Sequence, residues 1–273
     1  MMNFTLRFVW LGLLLLAEST HAAPQIISIV GNGKTGTPTN NSRSLATSLG
    51  NPSHILYHSG HRFLYIPDPT HQQVRYVDFD SQNDFIELQS VIGDLTLSRP
   101  EAIAFDADNH VYVADSGLQV IAKFNRTGTG RQFSWENPKI VAGLLNQAGY
   151  TADDEEALHS KLNAPSDLLL LPSDCNSDSI PCEIVFVDKN NHRIRRVYTD
   201  AAGKSRIIDV VGTGTGGYNP AHENHLAVDS DFKSPSSFLL KDKDLYITDS
   251  GNGRIRKVTG FLDDASGKIT TTG

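Results

Sequence analysis

Val111-Tyr112-Val113-Ala114-Asp115-Ser116-Gly117 opens with β-branched and aromatic residues and closes on a polar turn. Such residues suit a pleated, half-buried surface, and the Asp-Ser-Gly end suits a tight reversal. The stretch is therefore read as a strand running into a hairpin. It is not alone. Phe63-Leu64-Tyr65-Ile66-Pro67-Asp68, Ile184-Val185-Phe186-Val187-Asp188 and Leu245-Tyr246-Ile247-Thr248-Asp249 have the same form.

Working outward, each copy follows a proline and an apolar run, as in Pro100 then Ala102-Ile103-Ala104-Phe105. Each precedes a β-branched run, such as Val120-Ile121-Ala122-Lys123-Phe124 or Arg193-Ile194-Arg195-Arg196-Val197. A last run ending in Gly closes the unit, as in Ile140-Val141-Ala142-Gly143 and Val91-Ile92-Gly93. The units lie near 52–93, 100–143, 165–212 and 235–260. Their Pro-to-Asp offsets are 16, 15, 23 and 14, so the third carries an insertion in its first hairpin. After the leader, no long window has a clean helical period. Asp153 to Leu162 is read as one or two helical turns inside a loop. The fold class is all-β. A four-stranded unit recurring every few tens of residues is the mark of a propeller blade.

The combination of Pro, a strand ending Tyr-Val-x-Asp, Ser-Gly-Asn and Arg-Ile resembles the NHL repeat, over about residues 26–260. Three features depart from it: Pro67 stands in the first unit's strand, no Gly follows Asp68, and Val120 stands where the family has Arg. The resemblance implies a β-propeller of six four-stranded blades. Four units and one extra strand, Ile26 to Val30, fall short of that number, which reads as a truncated propeller over residues 24–273. The tail Gly267-Lys268-Ile269-Thr270-Thr271-Thr272-Gly273 reads as the opening strand of a further unit. An open strand edge there is a pairing hazard and a route to self-association.

Arg7, the apolar run Phe8 to Ala17 and the small residues up to Ala22 form a cleavable leader over residues 1–22. No later segment has the ~18 apolar residues needed to span a bilayer. The expected compartment is secreted or periplasmic. Cys175 and Cys182 are the two cysteines and are expected to bridge the ends of the third unit's insertion. The net charge of −7 counts against nucleic acid as a partner. Asn40 and Asn125 sit in glycosylation sequons, relevant only in a eukaryotic host.

Several motifs invite a sharper reading and are set aside. Gly31 to Gly36 and Gly212 to Gly217 fit a dinucleotide loop, yet no helix follows either, so they read as a turn shared by the repeat. His222-Glu223-Asn224-His225 is one residue short of zinc-hydrolase spacing and reads as a solvated loop. Asp153-Asp154-Glu155-Glu156 offers oxygens to calcium but reads as a wet charged face. No zinc or calcium is expected as a cofactor. The recurring Asp68, Asp115, Asp188 and Asp249, with Arg193 and Arg254, read as turn caps or blade-to-blade ion pairs, because a catalytic group is needed only once.

The expected function is a non-catalytic scaffold that recognises a protein or peptide. The long connections between units belong on one face, with Tyr150, Tyr218, His159 and His225 as binding candidates. The alternative is a metal-dependent propeller enzyme, lyase or lactonase-like hydrolase, with its site at the central channel. No catalytic residue is assigned.

Overall fold

The computed structural model describes residues 28, 30–34, 36, 42–43, 47–60, 63–78, 85–86, 97–129, 132–176 and 181–263. The leader, the Val91-Ile92-Gly93 run, Asn40 and the tail from Gly267 lie outside them. A short pair, β1 (Ser42–Arg43) with β5 (Phe85–Ile86), flanks the first blade, which is β2 (Leu56–His58), β3 (Phe63–Asp68) and β4 (Gln73–Asp78). The second blade is β6 (Pro100–Phe105), β7 (Val111–Asp115), β8 (Val120–Thr129) and β9 (Gln132–Ala142). The third combines β10 (Glu155–Glu156), β11 (Pro165–Leu171), β12 (Glu183–Asp188), β13 (Arg193–Thr199) and β14 (Ser205–Val211), in the order β10-β14-β13-β12-β11. The fourth is β15 (Ser237–Lys241), β16 (Asp244–Asp249) and β17 (Arg254–Val258).

All pairings within the blades are antiparallel. The four sheets stand side by side around one axis in a four-blade β-propeller arrangement, with β2, β6, β11 and β15 innermost, and among the described residues the first and fourth blades share no apolar seam. There is no α-helix among the described residues. The helical turns expected over Asp153 to Leu162 reduce to one 3-10 turn, Ala157–His159, because Glu155 and Glu156 pair instead along β14.

Three apolar seams hold the blades together. Phe63, Tyr65 and Tyr76 of the first blade meet Val111, Val113, Phe124 and Trp135 of the second. Ala102, Ala114 and Ile121 meet Leu168, Phe186 and Ile207 of the third. Val185, Val187 and Ile194 meet Leu245, Ile247 and Val258 of the fourth. Each large side chain so buried contributes roughly 1.5–3 kcal/mol.

Burial also marks position in the array. A middle blade has neighbours on both faces, and every residue of β7 is buried. In β16 buried residues alternate with half-exposed ones, because only one face is covered. Leu239 and Ile255 on that open face are 63% and 69% exposed, and Ile55 and Tyr57 at the other end of the array are 64% and 53% exposed.

A second device repeats within each blade. The carboxylates of Asp68, Asp115, Asp188 and Asp249 are fully buried. Each accepts a backbone N–H from the segment entering its own blade: Gly50, Ser98 and Arg99, Asn163, and Lys233 respectively. They are therefore caps inside one blade, and the blade-to-blade ion pair expected as an alternative does not form. Asp68, Asp188 and Asp249 also face arginines seven positions on, Arg75, Arg195 and Arg256, at 3.3, 3.6 and 3.5 Å. In the second blade Ala122 holds that position, and Asp115 balances its charge with four backbone N–H donors, Ser98, Arg99, Gly117 and Leu118.

Burial pushes the Asp188 carboxyl up to about 6, against the opposing pull of Arg195, Asn191 and the Asn163 N–H. The folded chain then binds this proton more tightly than the unfolded chain does. The Asp188 contribution to stability is full below its ordinary 3.8 and declines as pH climbs through that range toward 6, opposite to a usual paired carboxylate. Carboxyl NMR should place its midpoint near 6, and Asp188→Asn should flatten the slope of stability against pH in that window. A midpoint at or below 3.8 would refute this.

The Cys175–Cys182 disulfide forms as expected and closes the insertion between β11 and β12. Closing so short a loop stabilises by about 2–3 kcal/mol.

Candidate functional site: an axial cleft

The first strands of the blades converge on the axis and surround a cavity of about 710 Å³. Strand alternation sends successive side chains of β6 and β11 toward the blades on either side, and residues of both sets border the opening. Its walls are apolar, with Leu56, Tyr57, Phe105, Leu169, Leu171 and Leu239 among them. The turns at Ser59, Asp106 and Ser173 form its rim. These are the first-to-second-strand hairpins. The cleft therefore opens at the end of the inner strands opposite the long connections between blades.

The deep end is polar. Asp167 is buried on β11, and its Oδ2 accepts from Ser237 Oγ at 2.7 Å and Phe238 N at 3.0 Å on β15. Its Oδ1 accepts from Leu168 N at 2.9 Å, with His54 Nε2 of the first blade 3.9 Å away. Burial raises the Asp167 carboxyl, and the hydrogen bonds from Phe238 N, Ser237 Oγ and Leu168 N, together with the charge of His54, pull it back. Two hydroxyls stitch neighbouring inner segments: Ser53 Oγ donates to Glu101 O at 2.7 Å, and Ser166 Oγ to Ser236 O at 3.2 Å. Near the rim, His58 packs edge-on against Phe105 with ring centroids 4.8 Å apart. Burial first, then the charge of Arg126, lowers its pKa and so favours the uncharged imidazole. The cleft thus offers a long apolar wall, two imidazoles and one carboxylate already committed to backbone and hydroxyl donors.

Asp106, Asp108 and His110 bring three potential ligand atoms within 4.8 Å of one another in the β6–β7 turn. Asp106 Oδ1 accepts from the N–H groups of Asp108 and His110, and Oδ2 pairs with Lys123 Nζ at 2.9 Å. A lysine already supplies the positive charge, and the cluster reads as a braced turn.

The candidates read from the sequence lie elsewhere. Tyr150 donates from its hydroxyl to Asp209 at 2.8 Å, with the Arg193 guanidinium 4.1 Å and that of Arg195 5.0 Å from its ring. Burial and the Asp209 bond push its phenol up to about 12. Tyr218 repeats the arrangement one blade on, with Arg254 3.6 Å above its ring. Both rings therefore clamp the connection entering their blade. His159 is largely exposed beside Glu156 at 3.3 Å, and His225 stands 6.1 Å from His222, ring to ring. The structure does not gather these four into one pocket. The cleft residues His54, His58 and Asp167 carried no motif. The buried arginines did leave a signal, the seven-residue step from Asp68, Asp188 and Asp249.

No protein-family model and no curated protein matches the chain. Solved structures do. One is an auxiliary nutrient binding protein from Bacteroides thetaiotaomicron, with 23% identity and a TM-score of 0.59, the match covering 77% of this chain and 48% of that one. Another, of the same description from Bacteroides ovatus, has 18% identity, a TM-score of 0.59 and the same coverage. The chain thus spans about half the length of these proteins. At such identities the likeness speaks to architecture alone, and what the chain shares with them is the β-propeller fold.

Proposed function

We propose that this protein is a non-catalytic binding scaffold of the NHL type working outside the cytoplasm, and that it seats an apolar stretch of a peptide in the axial cleft. The observation that carries the reading is the cleft itself: its volume is in the range of ligand sites, its wall is apolar, and Asp167 has both oxygens occupied. A carboxylate so engaged orients a neighbour better than it abstracts a proton. The two Bacteroides proteins that share the fold are described as nutrient binding, in keeping with a binding role here. The leader-like N-terminus and the Cys175–Cys182 bridge both fit an oxidising compartment.

Titration calorimetry on the full chain tests this with short synthetic peptides, one series rich in Leu and Phe and one rich in Asp and Lys, and with simple sugars. The apolar series should bind. Tyr57→Ala and Leu239→Ser, both in exposed cleft positions, should each weaken it about tenfold or more. His159→Ala and His225→Ala should leave it unchanged. Binding confined to sugars or charged peptides would overturn the reading, and so would sensitivity to the two histidines without sensitivity at the cleft.

A further inference from the structure

One layer of the inner segments departs from the apolar pattern of the module. The residue two places after the proline that opens each blade is His54, Ala102, Asp167 and Ser237 in turn. Two residues further on stand Leu56, Ala104, Leu169 and Leu239, which pair with Tyr65, Tyr112, Val185 and Tyr246 and so share one register position. That second layer is apolar throughout, and all four of its residues line the cleft. His54 and Asp167 line the cleft as well, and each occurs in one blade only. A turn cap is needed in every blade, whereas a group that recognises a ligand on the axis is needed once.

Asp167 differs from the other five buried aspartates among the described residues. Asp68, Asp188 and Asp249 face arginines, and Asp106 faces Lys123. Asp115 takes four backbone N–H groups. Asp167 accepts three hydrogen bonds, from Leu168 N, Ser237 Oγ and Phe238 N. A carboxylate has about four acceptor sites, so one remains, on Oδ1. The basic group facing it is His54, whose Nε2 lies 3.9 Å from Oδ1, beyond hydrogen-bond reach. The Nδ1 atom of His54 is buried with no hydrogen-bond partner. A desolvated carboxylate short of counter-charge thus stands beside an imidazole with neither nitrogen engaged among the described residues. Both shortfalls are met by a cation that carries several N–H donors.

We propose that the gap between His54 and Asp167 receives the free amino terminus of the bound peptide, with the apolar residues that follow it running along the cleft wall. This rests on the peptide-binding reading of the cleft and gives it a direction. An ammonium nitrogen about 2.8 Å from each atom spans the gap, donating to Asp167 Oδ1 and to Nε2 of a neutral His54. An alcohol would bring one donor and no charge, and a carboxylate terminus would be repelled by Asp167. Asp167 to Leu171 is four residues along β11, ~13 Å at ~3.3 Å per residue, so the cleft takes about the first four residues of an extended peptide. β2, β6, β11 and β15 are each the end strand of their sheet, so strand-edge N–H and C=O groups face the peptide backbone.

Titration calorimetry on the full chain at neutral pH tests this with three forms of one probe, Leu-Phe-Leu-Phe: free at the amino end and amidated at the other, acetylated and amidated, and acetylated with a free carboxylate. The first form should bind about tenfold or more tighter than the second, the usual effect of a hydrogen bond to a charged group. Asp167→Asn keeps the side-chain shape and should make the first two forms equal. Asp167 also braces two blades, so His54→Ala, which breaks no hydrogen bond of the folded chain, provides the second variant. It should weaken the first form about threefold or more and leave the second unchanged. Equal binding of all three forms by the unsubstituted chain would overturn the assignment while leaving the apolar cleft standing. Preference for the free carboxylate would overturn it by reversing the peptide. Equal losses of the first two forms in His54→Ala would overturn it by making the histidine a structural group. Binding of no form would overturn both this assignment and the peptide reading beneath it.

Discussion

Arg195→Ala should lower the unfolding free energy by about 3–5 kcal/mol, the usual effect of removing one partner from a buried charge cluster. Arg195 is fully buried and lies 2.8 Å from Asp209 and 3.6 Å from Asp188. It also donates to the carbonyl of Thr151 at 2.7 Å, so it ties the connection entering the third blade to that blade's middle. Its loss would leave Asp188 buried with no cationic partner, held by the Asn163 N–H and the Asn191 amide, leave Asp209 to Arg193 and Tyr150, and take from the Tyr150 ring one of its two guanidinium neighbours. Urea unfolding measures the effect. Arg195→Lys should recover only part of it, because an ammonium restores charge without the guanidinium fork. Arg256→Ala, in the blade with one open face, should cost less than half as much, since its side chain is 10% exposed. A loss below about 1 kcal/mol for Arg195→Ala would mean that the cluster is a weakly coupled surface feature.

Gly212→Ala should destabilise by about 3 kcal/mol, through positive-φ strain and a backbone clash together. Gly212 has a φ of +97°, and an added Cβ would sit 2.5 Å from the carbonyl oxygen of His192. That oxygen belongs to the turn between β12 and β13 of the same blade, where nothing flexible can yield. The glycine-rich run that begins here resembled a nucleotide loop, but the close approach its first glycine permits is to its own blade. Gly143 repeats the geometry, with φ of +99° and Gln119 O at 2.4 Å, and should respond alike. Gly203, at φ +77° with open space around it, supplies the contrast: alanine there carries only the strain term, about 1–2 kcal/mol. Equal losses at Gly212 and Gly203 in thermal or urea unfolding would show that backbone strain alone, and not the clash, sets the cost.

The open faces of the first and fourth blades follow from the same packing logic. Leu239 and Ile255 occupy the places that Leu169 and Ile194 hold in the third blade, where the fourth blade covers them. They are apolar because the repeat makes them so, and exposed because no described blade lies beyond them.

What the amino-acid sequence determined by itself is the module: the strands, their turns, the insertion with its disulfide and the fold class. Those features rest on neighbours a few residues apart. Alternation along Val111 to Ala114, the Asp-Ser-Gly turns and a seven-residue Asp-to-Arg step are all local. The cleft was decided only by the tertiary structure. His54, Asp167 and Phe238 come from three blades and meet because the sheets are set around one axis, a distance relation that no single repeat encodes. Likewise the sequence offered Tyr150 and Tyr218 as binding candidates, and only folding showed the arginines over their rings. Side chains whose partners lie in another copy of the repeat, or on another of its strands, get their role from the stacking of the copies, and that stacking is a property of the whole ring.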